Sequence, residues 1–315
     1  MGTMDQTLAV VLFIVFNAVI ILAGITWLIW RSTQGRSWWK HAGMLTGLVL
    51  TLLCAILLGI GMGTQWQGME LNGCIAAGKC YCENLPLLGT PMAIAQPVST
   101  LTAFAPIISG LLILGWADID RLSGRRDGNP MKTGSVYALL FGSIVLLLGP
   151  GSMAFHVSMT EVISRFDPLS ISLFAIFAAL YGIWRASLAD ATRWGLIVFL
   201  LGFGLLVAAA LVAIFVFGLT DEVSMATLVV LVIVELVLII ATAAGGINRL
   251  RRNFGYFFAI LVGFGLAFFL WFASETGRSL CVTDSFWQGH GGWHLLAMGL
   301  VPFLFFLHFR AESRP

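Results

Sequence analysis

Nine runs of roughly twenty apolar residues constrain this chain more than anything else in it, because a helix needs about that many to cross ~30 Å of hydrocarbon. They lie near 7–30, 42–63, 97–117, 135–158, 168–186, 194–218, 223–246, 254–274 and 291–310. Only 10% of the 315 residues are charged, against about 25% in soluble domains. So much apolar surface requires lipid as its solvent. The runs are long and lack the period-two alternation of barrel strands, so their backbone groups are expected to pair within helices. The expected fold class is all-α, a polytopic membrane helical bundle. A net charge of +2 offers no basic face for a nucleic acid.

Nine spans divide the loops into two sets. One holds Arg31, Arg36, Lys40, Arg121, Arg125, Arg126, Lys132, Arg185, Arg193, Arg249, Arg251, Arg252, Arg310 and Arg314, and the other Lys79, Arg165 and Arg278. This asymmetry predicts that the richer set is cytoplasmic, with the N-terminus outside and the C-terminus inside. The opening segment MGTMDQT has no positive charge and leads into a run longer than a signal's apolar region. The first run therefore reads as a retained helix. By this topology Cys74, Cys80, Cys82 and Cys281 face the outside and Cys54 lies within a span. Four cysteines in an oxidising compartment suit two disulfides, and spacing leaves their connectivity open.

Ionisable groups in lipid are costly and usually face the protein interior. Of five histidines, His41 and His308 fall at the cytoplasmic ends of spans, where capping a helix or meeting headgroups accounts for them. The other three converge. His156 lies at the outer end of the fourth run, and His290 and His294 at the outer start of the ninth. Four residues apart, His290 and His294 share a helical face. Two such imidazoles with a third from another helix match the ligand set of a catalytic zinc site, which keeps its fourth position open. Gly289, Gly291 and Gly292 flank the pair, and small residues let membrane helices approach closely. Ser152 sits one turn before His156, and Asp167 follows by eleven residues ahead of Pro168. Asp167 suits an N-cap or a general base, and Ser152 suits an oxyanion donor. Glu235, within VLVIVELVLII, is an intramembrane carboxylate expected to pair across helices or to serve a proton or ligand path.

Gly149, Gly151, Ser152, Phe155, His156, then Asp167, then Gln288, His290, Trp293 and His294 resemble the motifs of the alkaline ceramidase family, whose superfamily also holds the adiponectin-type receptors. The resemblance spans roughly residues 80–310. It implies a seven-helix catalytic core over 97–315, an outer cysteine loop over 64–96 and two additional N-terminal transmembrane helices over 1–63. It also implies zinc (Zn2+) held by His156, His290 and His294, with Ser152 and Asp167 as the catalytic pair. In the outer loop the family often binds calcium (Ca2+). Here Glu83 and Asn84 stand at matching positions, but Cys80 replaces a leading Asp and Gln96 a later Glu. A hard cation that prefers several oxygen ligands is poorly served by those losses. The family's cysteine at the Cys82 position implies a bridge to Cys281.

The implied activity is hydrolysis of the amide of an N-acyl sphingoid lipid, ceramide first, by a zinc-dependent hydrolase. The alternative is a zinc-containing lipid receptor or sensor without significant turnover. A transporter relaying ions through Glu235 and Asp167 finds no internal repeat in its favour.

Overall fold

A computed structural model of the chain describes residues 5–34, 37, 40–77, 80–83, 93–124, 128–187, 193–245, 252–283 and 285–313. Among these it is helical without a regular strand; two isolated bridges, Leu71 to Thr160 and Tyr81 to Glu275, pin loop segments. In chain order the helices are α1 Gln6–Thr33, α2 Ala42–Gly63, α3 Gly73–Ala77, α4 Pro97–Thr102, α5 Phe104–Ser123, α6 Val136–Ser158, α7 Glu161–Ser164 and α8 Phe166–Ser187. They continue as α9 Arg193–Phe215, α10 Thr220–Ala243, α11 Phe254–Ala273, α12 Gly289–Trp293 and α13 Val301–Ala311. Nine spans among the described residues are long and apolar enough to cross a membrane. They match the nine runs to within a few residues, except that the third extends to Ser123 and the fifth begins at Glu161. The chain is thus an all-α, multi-pass membrane bundle.

Burial separates the core spans from those facing lipid. In the most apolar stretch of α6, 72% of residues are buried, against 17% in the α9 span. α6 lies between α5 and α8, the last span packs on α5 and α11, and α10 lines α8. One apolar cluster joins Phe141, Phe174, Phe177 and Tyr181 to Phe305, Phe306 and Phe309 of α13. A second joins Phe13, Met44 and Leu48 of the first two helices to Phe104, Leu111 and Leu114 of α5 and Leu146 of α6. The first two helices are also tied down by polar contacts. The Asp118 carboxylate on α5 accepts from the N–H groups of Gly43 (3.0 Å) and Met44 (2.8 Å), capping α2 from a neighbouring helix. At the other end of α1, the Gln6 side chain exchanges two hydrogen bonds with the Ile94 backbone.

Buried ion pairs close the end of the bundle opposite the site histidines. Glu312, just past α13, lies 3.3 Å from Arg185 Nε and 3.0 Å from Arg252 Nη2, with side chains no more than 1% exposed. Arg252 also pairs with Glu235, and His308 Nε2 is 3.5 Å from the same carboxylate. Glu235 thus pairs across helices. It abuts Gly182, fifteen residues along α8 from Asp167, about 22 Å by helical rise. The two acids are therefore not neighbours in a relay. His41 stands at the N-cap of α2, one of the two expected roles, though its side chain makes no capping bond, and neither it nor His308 meets headgroups. Both are fully buried, His308 beside this ion-pair cluster and His41 edge-on to Trp27. Asn129 completes this end by donating to the carbonyls of Phe309, Arg310 and Glu312, which the terminating helix would otherwise leave unpaired.

Removing one partner of a buried pair strands the other charge. Arg252→Ala is expected to destabilise the fold by about 3–5 kcal/mol. Thermal unfolding in detergent measures this, and an unchanged midpoint contradicts it.

Candidate metal centre

The three predicted histidines meet. His156 comes from the last turn of α6, His290 from α12, and His294 from the start of a π-helical stretch, His294–Leu300, that joins α12 to α13. Local widening of this kind often marks functional sites. All three rings are buried, and their ligand atoms lie within 4.8 Å of one another. Close helix approach makes this geometry accessible. A Cβ on Gly151 would fall 2.6 Å from Ser170 Oγ and 2.9 Å from the Phe166 carbonyl, so only glycine lets α6 lie this tightly on α8. Gly291 likewise faces Thr102, where a Cβ would lie 3.1 Å from the nearest carbon. Trp293 packs into the core at 5.1 Å from Phe268, which turns the histidine face inward.

Hydrogen bonds set the ring tautomers. Gln96 Nε2 donates to the carbonyls of Tyr81 (3.3 Å) and Glu83 (3.2 Å), which leaves its Oε1 to accept from His156 Nδ1–H at 2.6 Å. Thr102 donates its hydroxyl proton to the carbonyls of Val98 and Ser99 at 3.0 Å. Its oxygen is then left to accept from His294 Nδ1–H, also at 3.0 Å. In both rings the Nε2 lone pair is consequently free. His156 Nε2 lies 3.1 Å from His290 Nε2, and His294 Nε2 lies 3.0 Å from Ser152 Oγ. Outer partners that orient imidazoles in this way are characteristic of metal sites.

Ser152 stands between His294 and the carboxyl of Asp167. Its single hydroxyl proton has two acceptors to choose from. Oδ1 of Asp167 is buried without a hydrogen-bond partner. Three buried imidazoles with ligand atoms within 4.8 Å of one another, next to a carboxyl and a hydroxyl, fit a divalent metal ion with affinity for nitrogen.

The outer loop roofs the site. Tyr81 stacks on His290 with ring centroids 3.5 Å apart, and its hydroxyl oxygen accepts from Trp271 Nε1 at 2.7 Å. Disulfides join Cys74 to Cys80 and Cys82 to Cys281, on either side of Tyr81. The Glu83 carboxylate is spent on the N-terminus of α4. It accepts from the N–H of Val98, the N–H of Ser99 (2.9 Å) and the Ser99 hydroxyl (2.8 Å). Asn84 lies outside the described residues. A calcium site at this pair gains no support, because both Glu83 oxygens already serve a helix end. Tyr81, Thr102 and Trp271 have no spacing signal in the sequence. Gln96 did stand out there, as a lost carboxylate, but it acts on His156.

A multi-pass helical membrane protein with a buried three-imidazole cluster is the class that this fold and site define. The chain belongs to the ceramidase family, whose model, described as Ceramidase, matches residues 89–312 and so takes in the three histidines, Gln96, Thr102, Ser152, Asp167 and Trp271. No curated protein and no solved structure matches it.

Gln96→Ala removes the acceptor that orients His156 and is expected to weaken divalent-metal affinity by about 10–100-fold, read by competition with a chromophoric chelator. Glu83 gives a second expectation. Burial pushes its carboxyl from 4.5 up to about 7 against the pull of its hydrogen bonds. A raised carboxyl favours the folded state fully below 4.5, and the advantage fades as pH rises through 7. Thermal stability should therefore fall across that window, and Glu83→Gln should flatten the dependence. An equal slope in both proteins contradicts it.

Proposed function

We propose that this protein is a zinc-dependent intramembrane amidohydrolase that releases a fatty acid from an N-acyl sphingoid base, with ceramide as the leading substrate. One observation carries the reading: three buried imidazoles converge with Ser152 and Asp167 inside the region matched to the ceramidase family. His156, His290 and His294 hold the ion. Zinc, when bound, supplies Lewis-acid polarisation of a water and of the acyl carbonyl.

The side chains do the rest. Asp167 takes a proton from the attacking water and delivers it to the amide nitrogen as the C–N bond breaks. The Ser152 hydroxyl donates to the carbonyl oxygen as negative charge builds there. Hydroxyl ends on the acyl carbon and hydrogen on the nitrogen, giving a carboxylic acid and an amine. Tyr81 covers His290 and limits bulk water, which strengthens each electrostatic contact beneath it. The surrounding bundle is apolar, so a lipid acyl chain reaches such a site more readily than a polar peptide does.

The proposed orientation has the N-terminus outside, the C-terminus in the cytoplasm and the site toward the extracytoplasmic face. It rests on the charge asymmetry of the loops, and two disulfides at the histidine end agree with it.

Purified protein should release fatty acid from ceramide steadily and stop when zinc is chelated, with zinc restoring turnover. Unchanged release after verified metal loss refutes the mechanism. Stoichiometric lipid retention without product favours a sensor. His290→Ala should lose metal and activity together. Asp167→Asn should keep its zinc while kcat falls by about 10²–10⁴, as followed by product release beside elemental analysis.

A further inference from the structure

A cavity of about 410 Å³ adjoins the metal centre, with Tyr81, Asp167, Pro168, Asp221, Trp271 and Glu275 among its lining residues. Its carboxylates are not equivalent. Arg165 also lines the cavity, but its guanidinium is held by Glu161 at 3.1 Å and by the Phe215 carbonyl at 3.0 Å, and Glu161 accepts in addition from the Gly73 N–H. Glu275 has Arg278 at 3.9 Å. Asp221, in the first turn of α10, is exposed on the cavity wall and has no ion-pair partner among the described residues. It lines the same cavity as Asp167, and Asp167 itself presents a buried oxygen without a partner.

We infer that this cavity takes the amine-bearing half of the substrate and that Asp221 is the residue that selects it. The inference rests on the amidohydrolase reading and adds a direction to it. Cutting the amide turns an uncharged nitrogen into a primary amine, which is protonated near neutral pH. The acyl half becomes a carboxylate. An unpaired carboxylate on the wall attracts the first product and repels the second. Before the cut, the same oxygens accept from hydroxyl groups beside the amide. The acyl chain then lies on the other side of the reacting carbonyl, toward the apolar bundle. Asp221 has a simpler role as an acid favoured by the helix dipole, but its neighbour Glu222 meets that need equally and does not line the cavity.

The test is binding and needs no turnover. Full-length protein in nanodiscs is titrated with a saturated long-chain amino-diol and with the matching diol that lacks nitrogen. The parent should prefer the amine by about tenfold or more, and the preference should shrink with added salt. Asp221→Asn should abolish it while zinc content and melting temperature stay unchanged, and Glu222→Gln should retain it. Equal affinity for the two probes in the parent, an undiminished preference in Asp221→Asn, or an equal loss in Glu222→Gln each overturns the proposal. Because the readout is equilibrium binding, absence of ceramide turnover with an intact amine preference counts against the hydrolase reading alone.

Discussion

Imidazole is expensive to bury unless each ring nitrogen finds a partner, and this bundle buries three of them side by side. Water is scarce among apolar helices, so partners must come from the chain. Gln96 and Thr102 meet the need for His156 and His294, and each is held in turn by backbone carbonyls. Glu83 steadies the short helix that carries Thr102 by occupying its N-terminal N–H groups. The roofing loop, the short α4 helix and the two histidine-bearing spans are therefore one hydrogen-bonded unit. Its remaining open valences include the Nε2 atoms of His156 and His290, 3.1 Å apart, and Nδ1 of His290, which has no partner. Converging lone pairs in a dry site repel unless a proton or a cation lies among them, and that is why the arrangement reads as a metal centre.

The two ends of the bundle use polar residues differently. At the histidine end, Asp167 and Asp221 border a cavity and Asp167 keeps an oxygen free, so charge is available for chemistry. At the other end, Glu235 and Glu312 are matched against Arg185 and Arg252. There charge is consumed in joining α8, α10, α11 and the tail after α13. Buried pairs of this kind add little net stability over apolar packing, but they penalise any arrangement that separates the partners. The last span is thereby held at one end by salt bridges and at the other by packing around Trp293. Its histidines have little freedom to turn toward lipid.

Much of this was legible in the residues. Span positions follow from hydropathy, because crossing hydrocarbon demands continuous apolar length. His290 and His294 read as a pair because helical periodicity puts positions four apart on one face. His156, Ser152 and Asp167 emerged as polar groups in places where lipid penalises them. Gln96 was legible only as a missing carboxylate, which bears on cation binding and says nothing about which ring its amide will meet. Tyr81, Thr102 and Trp271 were silent. An aromatic in a cysteine loop and a threonine in an apolar helix have many ordinary explanations. Glu235 was expected either to pair across helices or to serve a path, and Arg252, seventeen positions later and beside it, answers to the pairing.

By itself the sequence determined the class of solvent, the number and approximate positions of the spans, and which polar side chains had to turn inward, because these follow from local composition and helical period. Only the tertiary structure decided which inward groups touch. Contacts such as His156 with Gln96, or Arg252 with Glu312, join segments far apart in the chain. They depend on how tightly the helices approach, through positions such as Gly151 and Gly291, and packing distance is not written in any single segment.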